Sequence, residues 1–241
     1  MLTFTFIVIV ISIIAVSYVF FVMPRATDGA DMDLLSTDYA VGGAWSKSAP
    51  KNSLQAFEIA KERGYGIELC VTLSNEGKVV VLGSTLPLSQ LLSLLDGNVP
   101  LLIEIKSTPS AIRLSKQLCL MLDGYGGAFA IESADPKILS FFKKFRPRYA
   151  RGQIVSKKPE AIVGLPNNVL IRFLRKHLFT NVISRPDFIV TEGNLIREPA
   201  FWFATRIFCK RGFVRNVKTS RQYSICRYHS LYAIFENIRP Q

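Results

Sequence analysis

Leu101-Leu102-Ile103-Glu104-Ile105-Lys106 sets one carboxylate and one ammonium into an otherwise unbroken apolar run. The run reads as a buried β-strand. Strand periodicity is two, so Glu104 and Lys106 project to one face while Ile103 and Ile105 project to the other. Gly66-Ile67-Glu68-Leu69-Cys70-Val71 repeats the pattern, with Glu68 and Cys70 sharing a face.

Outward from these two runs, short β-like stretches alternate with helix-like ones. Strands are expected at 39–42, 66–73, 99–105, 128–132, 151–155, 187–191, 212–217 and 232–236, and amphipathic helices at 53–63, 88–95, 111–122 and 135–145. Ser53 suits an N-cap and Gly64 a stop for the first helix. Eight strands alternating with helices predict an α/β TIM (β/α)8 barrel. A doubly wound sheet competes, but no G-x-G-x-x-G follows a first strand. Charges at the C-terminal end of a barrel strand point into the mouth, where barrel active sites are built. Glu68, Glu104 and Lys106 there suit a divalent cation and a phosphate, with hard oxygen ligands for the metal and an ammonium for the anion. An interior Glu–Lys ion pair closing the barrel explains the same spacing equally well.

The first 25 residues are of another kind. Residues 2–23 contain no charge and are dominated by Ile, Val and Phe before Pro24-Arg25. At about 1.5 Å rise per residue such a helix spans roughly the 30 Å core of a bilayer. Neither a basic n-region nor an A-x-A-like site supports the rival reading, a cleaved signal peptide. The expected organisation is a transmembrane anchor at 1–25, a linker at 26–37 and a barrel domain at 38–241, located at the cell membrane. Hydrophobic residues at 49% and charged ones at 20% exclude a disordered chain. Four scattered cysteines make neither a zinc knuckle nor a disulfide scaffold. Residues 143–241 hold 20 of the 30 basic side chains and 5 of the 18 acidic ones. Basic and apolar residues interleave in Lys143-Lys144-Phe145-Arg146 and Ile171-Arg172-Phe173-Leu174-Arg175-Lys176. On an anchored chain these suit anionic headgroups of a lipid bilayer, or a merely solvated surface; no nucleic-acid motif is present.

Ser48-Ala49-Pro50-Lys51-Asn52-Ser53-Leu54-Gln55-Ala56-Phe57, the run 66–71 and Pro100 to Lys106 together resemble the glycerophosphodiester phosphodiesterases. Ala128-Phe129-Ala130-Ile131-Glu132-Ser133, Arg151-Gly152-Gln153, Arg185-Pro186-Asp187-Phe188-Ile189 and Ala233-Ile234-Phe235-Glu236-Asn237 agree in order and spacing. The resemblance implies a TIM barrel, a divalent cation (Ca2+ or Mg2+), and hydrolysis of glycerophosphodiesters to glycerol 3-phosphate and an alcohol. By motif position it makes Glu68 and Glu104 metal ligands and Lys106 a phosphate-binding group.

The departures fall on the chemistry. The family's Ala-His-Arg-Gly-Ala reads Ala40-Val41-Gly42-Gly43-Ala44, so Val41 stands for a catalytic His and Gly42 for a phosphate-binding Arg. Lys51 replaces a Glu, Cys70 replaces the Asp of the metal pair, and Gly83-Ser84 replaces a His-Asp that carries the second catalytic His. Ala134 takes the place of an aromatic and Arg215 that of the Trp in a late strand. The link Thr85-Leu86-Pro87 is shortened, which truncates the barrel between its second and third strands. General acid–base groups are each worth on the order of 10²–10⁴ in rate. The expected function is therefore that of a family protein whose hydrolytic activity is lost or strongly impaired. The alternative is a binding or regulatory protein recognising phosphodiester headgroups or a protein partner at the membrane.

Overall fold

The computed structural model describes residues 2–25, 34–157 and 161–238. In chain order the elements are α1 (Leu2–Val22), β1 (Tyr39–Val41), α2 (Leu54–Glu62), β2 (Gly66–Leu73), β3 (Val79–Val81), α3 (Leu88–Leu95), β4 (Leu101–Ile105), α4 (Ala111–Leu122), β5 (Phe129–Ser133), α5 (Pro136–Phe145) and β6 (Ala150–Val155). There follow α6 (Val169–Lys176), α7 (Asn181–Ser184), β7 (Phe188–Glu192), α8 (Pro199–Trp202), a π-helical stretch (Phe203–Ile207), β8 (Arg211–Val217), α9 (Ser220–Tyr228) and β9 (Tyr232–Phe235). Parts of the expected linker (26–33) and barrel domain (158–160 and 239–241) lie outside the described residues.

Eight parallel strands close on themselves in the order β1, β9, β8, β7, β6, β5, β4, β2 and back to β1, giving the expected TIM barrel. The short β3 pairs antiparallel with the far end of β2, Val80 opposite Thr72, and bridges to Pro87. The compressed link at Thr85-Leu86-Pro87 thus removes no barrel strand.

Local chemistry explains the helices. The Ser53 side chain accepts from the Ala56 amide, and Gly64, at φ +67°, turns the chain after α2. Asp135 caps α5 ahead of Pro136, and Thr219 with Gln222 forms a capping box on α9. Side chains alternate along each strand between two cores. Ile103, Ile105, Leu114 and Leu118 pack in the layer between barrel and helices. Tyr39, Leu102, Ala130, Phe188, Phe213 and Ile234 fill the barrel interior as an apolar floor.

α1 is long and apolar enough to cross a membrane and is exposed along most of its length. Its C-terminal turn alone is docked, against the face where the barrel strands begin. Asn181 Nδ2 donates to the Val22 carbonyl at 2.9 Å, and Arg185 Nη1 donates to the carbonyls of Phe20 at 3.1 Å and Met23 at 2.6 Å. The Arg25 amide donates to Pro186 O at 3.1 Å, and its guanidinium lies 3.6 Å from buried Asp187, just ahead of β7. Edge-on ring contacts from Tyr18 to Phe179 and Phe203 complete the joint.

Candidate functional site

Three adjacent strands bring three carboxylates together. Parallel register sets Cys70 of β2 beside Glu104 of β4, and Glu104 beside Glu132 of β5. Glu104 is two residues beyond Leu102, and Glu132 two beyond Ala130, so both rise directly above the apolar floor. Glu68 joins them from β2, opposite Val41. One oxygen from each of Glu68, Glu104 and Glu132 lies within 4.8 Å of the others, and all three residues are buried. Arg215 of β8, two residues past Phe213 of the floor, closes the layer with its Nη2 at 3.1 Å from Glu104 Oε2.

The electrostatics follow from burying this cluster. Burial, and then the charge of Glu104, pushes the Glu68 carboxyl up to about 7. Glu132 is also raised well above the carboxylate range, by burial first and Glu68 next. For Arg215, burial alone would favour the neutral form, but the carboxylates outweigh it and hold the guanidinium charged. Burial and the same carboxylates push the Cys70 thiol far up, so it stays a neutral S–H and a poor ligand for a hard cation.

Whether this set suits a divalent cation turns on Glu132. It is fully buried, and among the described residues neither of its carboxylate oxygens has a hydrogen-bond partner. A buried carboxylate left in that state is costly unless something meets it. Oxygens around a single Ca2+ stand at most about 5 Å apart, matching the cluster. With all three ionised, as a bound cation would favour, three carboxylates against one guanidinium leave two negative charges, the complement of a divalent ion. The residues fit.

The other expected site positions are placed as follows. Lys106 directly follows β4, half-buried and near enough to Cys70 to act on its titration. Val41 ends β1, and Gly42 follows at φ +66°, where a Cβ would meet Asn52 Oδ1 at 2.5 Å and Lys51 Cγ at 2.7 Å. Gly83 turns the chain at φ +79° after β3. Lys51 Nζ donates to Glu236 Oε1 at 2.5 Å, and Lys218 pairs with the other oxygen at 2.9 Å. The chain's two histidines sit elsewhere. His177 and His229 cap the C-termini of α6 and α9. Neither belongs to the carboxylate cluster, and His177 sits beside the Lys176–Glu198 ion pair instead. Sequence reasoning missed Glu132 as a site residue. Its signal was there: an acid inside the apolar run Phe129-Ala130-Ile131, in register with Glu104.

A cleft of about 480 Å3 opens beside Arg215, between the ends of β7 and β8 and the flank of α9, with Glu192, Asn194, Asn216 and Gln222 among its polar lining.

No family model matches the sequence, and no curated protein matches it. Solved structures do. A glycerophosphodiester phosphodiesterase from Parabacteroides distasonis is 15% identical with a TM-score of 0.64, over 84% of this chain and 93% of that one. One from Agrobacterium tumefaciens is 14% identical with a TM-score of 0.62, over 84% of this chain and 96% of that one. An Oleispira antarctica phosphodiesterase, solved in complex with the product sn-glycerol-3-phosphate, is 15% identical with a TM-score of 0.64, over 86% and 95%. The fold is shared with these enzymes across nearly their whole length.

Proposed function

We propose that this chain belongs to the glycerophosphodiester phosphodiesterase family and works at a membrane as a binding protein, with the family's hydrolysis lost or strongly impaired. The ligand is a glycerophosphodiester or a phospholipid headgroup, taken at the mouth of the barrel. The shared fold, the order of the sequence motifs and the product complex of the Oleispira antarctica phosphodiesterase support the ligand class. The observation that carries the loss of activity is the makeup of the cluster: among the described residues it gathers Glu68, Glu104 and Glu132 and no imidazole, while Val41 and Gly83 stand at the expected histidine positions.

Glu68, Glu104 and Glu132 would hold a divalent cation. When bound, the ion supplies positive charge toward the phosphodiester oxygens. Arg215 keeps Glu104 in place and adds a fixed cation beside the cleft, and Lys106 offers a second at the end of β4. Position 42 offers no guanidinium, so one bidentate donor for phosphoryl charge is gone. α1 serves as a retained anchor. Removing it as a leader would strip Asn181 and Arg185 of carbonyl partners that their side chains now hold.

One feature favours a working enzyme: burial beside Glu104 pushes the Glu68 carboxyl up to about 7, where a general acid–base is most effective. It cannot ligate the cation and carry the proton at once. Glycerophosphocholine is offered to the full chain in lipid nanodiscs, with Ca2+, with Mg2+ and with EDTA. The expected result is cation-dependent binding with turnover near background. Robust metal-dependent turnover, abolished by Glu104→Gln and by Glu68→Gln, would overturn the non-catalytic reading.

A further inference from the structure

We propose that the outer face of α6, with α8 and the π-helical stretch beside it, is a second membrane contact that lies in the headgroup layer of an anionic bilayer next to α1. The inference rests on the reading of α1 as a membrane span.

Five apolar side chains on these neighbouring elements are left uncovered: Val169, Leu170, Phe173, Trp202 and Ile207, each between 49% and 74% exposed. Single exposed apolar residues need no explanation, whereas a contiguous group marks a contact. This group is joined to α1 by two lines of rings. Phe173 stacks on Phe179 at 6.2 Å, and Phe179 meets Tyr18 and Phe21 of α1 at 5.6 and 6.1 Å. Trp202 meets Phe203 at 5.4 Å, and Phe203 meets Tyr18 at 5.8 Å. The apolar surface of the anchor therefore continues onto the barrel.

The charges select the occupant. α6, α8 and the π-helical stretch contain no acidic residue, and Arg172 and Arg206 are exposed among the apolar groups. Glu198, which caps α8, is neutralised by Lys176 at 2.7 Å. Arginines set between Trp, Phe and Leu are the makeup of a surface that sits at the acyl–headgroup boundary of anionic lipid.

The chain carries two tryptophans, Trp45 and Trp202, which makes the test direct. The full chain and its Trp202→Phe variant are reconstituted in vesicles of equal parts phosphatidylcholine and phosphatidylserine, with and without bromine on the acyl chains near the headgroup. The difference between the two proteins reports Trp202, and Trp45→Phe gives the same signal directly. Trp202 emission is expected to fall by about half or more in brominated vesicles and to resist aqueous iodide, as an interfacial indole does. Leu170→Glu with Phe173→Glu should abolish that quenching while the protein stays in the membrane after a carbonate wash. Trp202 emission that is insensitive to bromolipid and open to iodide, in protein that survives the wash, overturns this inference and leaves the anchor reading intact. Release by the wash removes both. Shielding from iodide without bromolipid quenching, together with two copies per nanodisc, assigns the face to a second copy of the chain and also overturns it.

Discussion

Glu132→Gln should stabilise this protein at alkaline pH when no divalent cation is present, and should shrink the stability that a cation adds. In EDTA the wild-type barrel holds a fully buried carboxylate with neither oxygen hydrogen-bonded, beside two further carboxylates and a single guanidinium. Burial and Glu68 hold the Glu132 carboxyl well above the carboxylate range, so at alkaline pH, where it is driven to ionise, an amide of the same shape removes that charge and can donate to Glu68 or Glu104. Relief of a poorly compensated buried charge is worth about 1–3 kcal/mol. In a chain of this size each kcal/mol moves Tm by about 2–4 °C, so at that pH the metal-free variant should melt roughly 2–12 °C higher. With Ca2+ or Mg2+ at about a hundred times its Kd, the wild type gains about 2.7 kcal/mol. Loss of one of three ligands weakens affinity at least 10–100-fold, which cuts that gain to about 1.4–0.4 kcal/mol. Thermal unfolding in nanodiscs, followed by circular dichroism across a cation titration, reads both effects on one sample. A variant that melts lower in EDTA yet keeps the full cation-induced rise would refute the argument, since Glu132 would then be a structural group and the cluster no metal site.

In EDTA, stability should also fall as pH rises from about 5 to 8. The Glu68 carboxyl stands near 7 folded against an ordinary 4.5, so between those values the folded state binds more protons than the unfolded one, and ionisation costs it on the order of 3 kcal/mol. Burial lowers His177 and acts in the opposite sense at the acid end, so the slope attributable to the cluster is what Glu68→Gln removes in a pH series of melts. Restoring the family residues together (Val41→His, Gly42→Arg, Lys51→Glu, Cys70→Asp, Gly83→His and Ser84→Asp) should not restore glycerophosphocholine turnover, because Gly42 and Gly83 hold positive φ and a Cβ at 42 meets Asn52 at 2.5 Å. Turnover approaching an intact relative's would show that the loop at 42 relaxes freely.

The eight barrel strands are legible because each is an apolar run with a clear parity, and the observed bounds differ from the expected ones by two residues or fewer. β3 is only three valines long and exists by pairing with an extension of β2, a tertiary cause that leaves little local trace. α6 to α9 are short, and α7 and α8 have four residues each, too few for a helical period to register. Glu68, Glu104 and Lys106 could be picked out as charges in apolar strands. Glu132 and Arg215 could not be assigned to the same site until strand order placed β5 and β8 around one barrel mouth. Position in the ring decides which charges meet, and strand order is carried by the whole chain rather than by any one motif.

The joint between α1 and the barrel has a mechanical consequence. A domain hung from a membrane on a polypeptide leash drifts through a volume set by the leash's length. Here the contact is made by side chains of the barrel base reaching the last carbonyls of the helix, and it is complete by Arg25. The residues that follow Arg25 do not set the standoff. Lengthening them would leave the barrel where it is, because the helix is welded to the base before the leash begins. If α1 spans a membrane as proposed, the mouth is carried at one height and one tilt, and it meets a single layer of solution rather than sweeping through many.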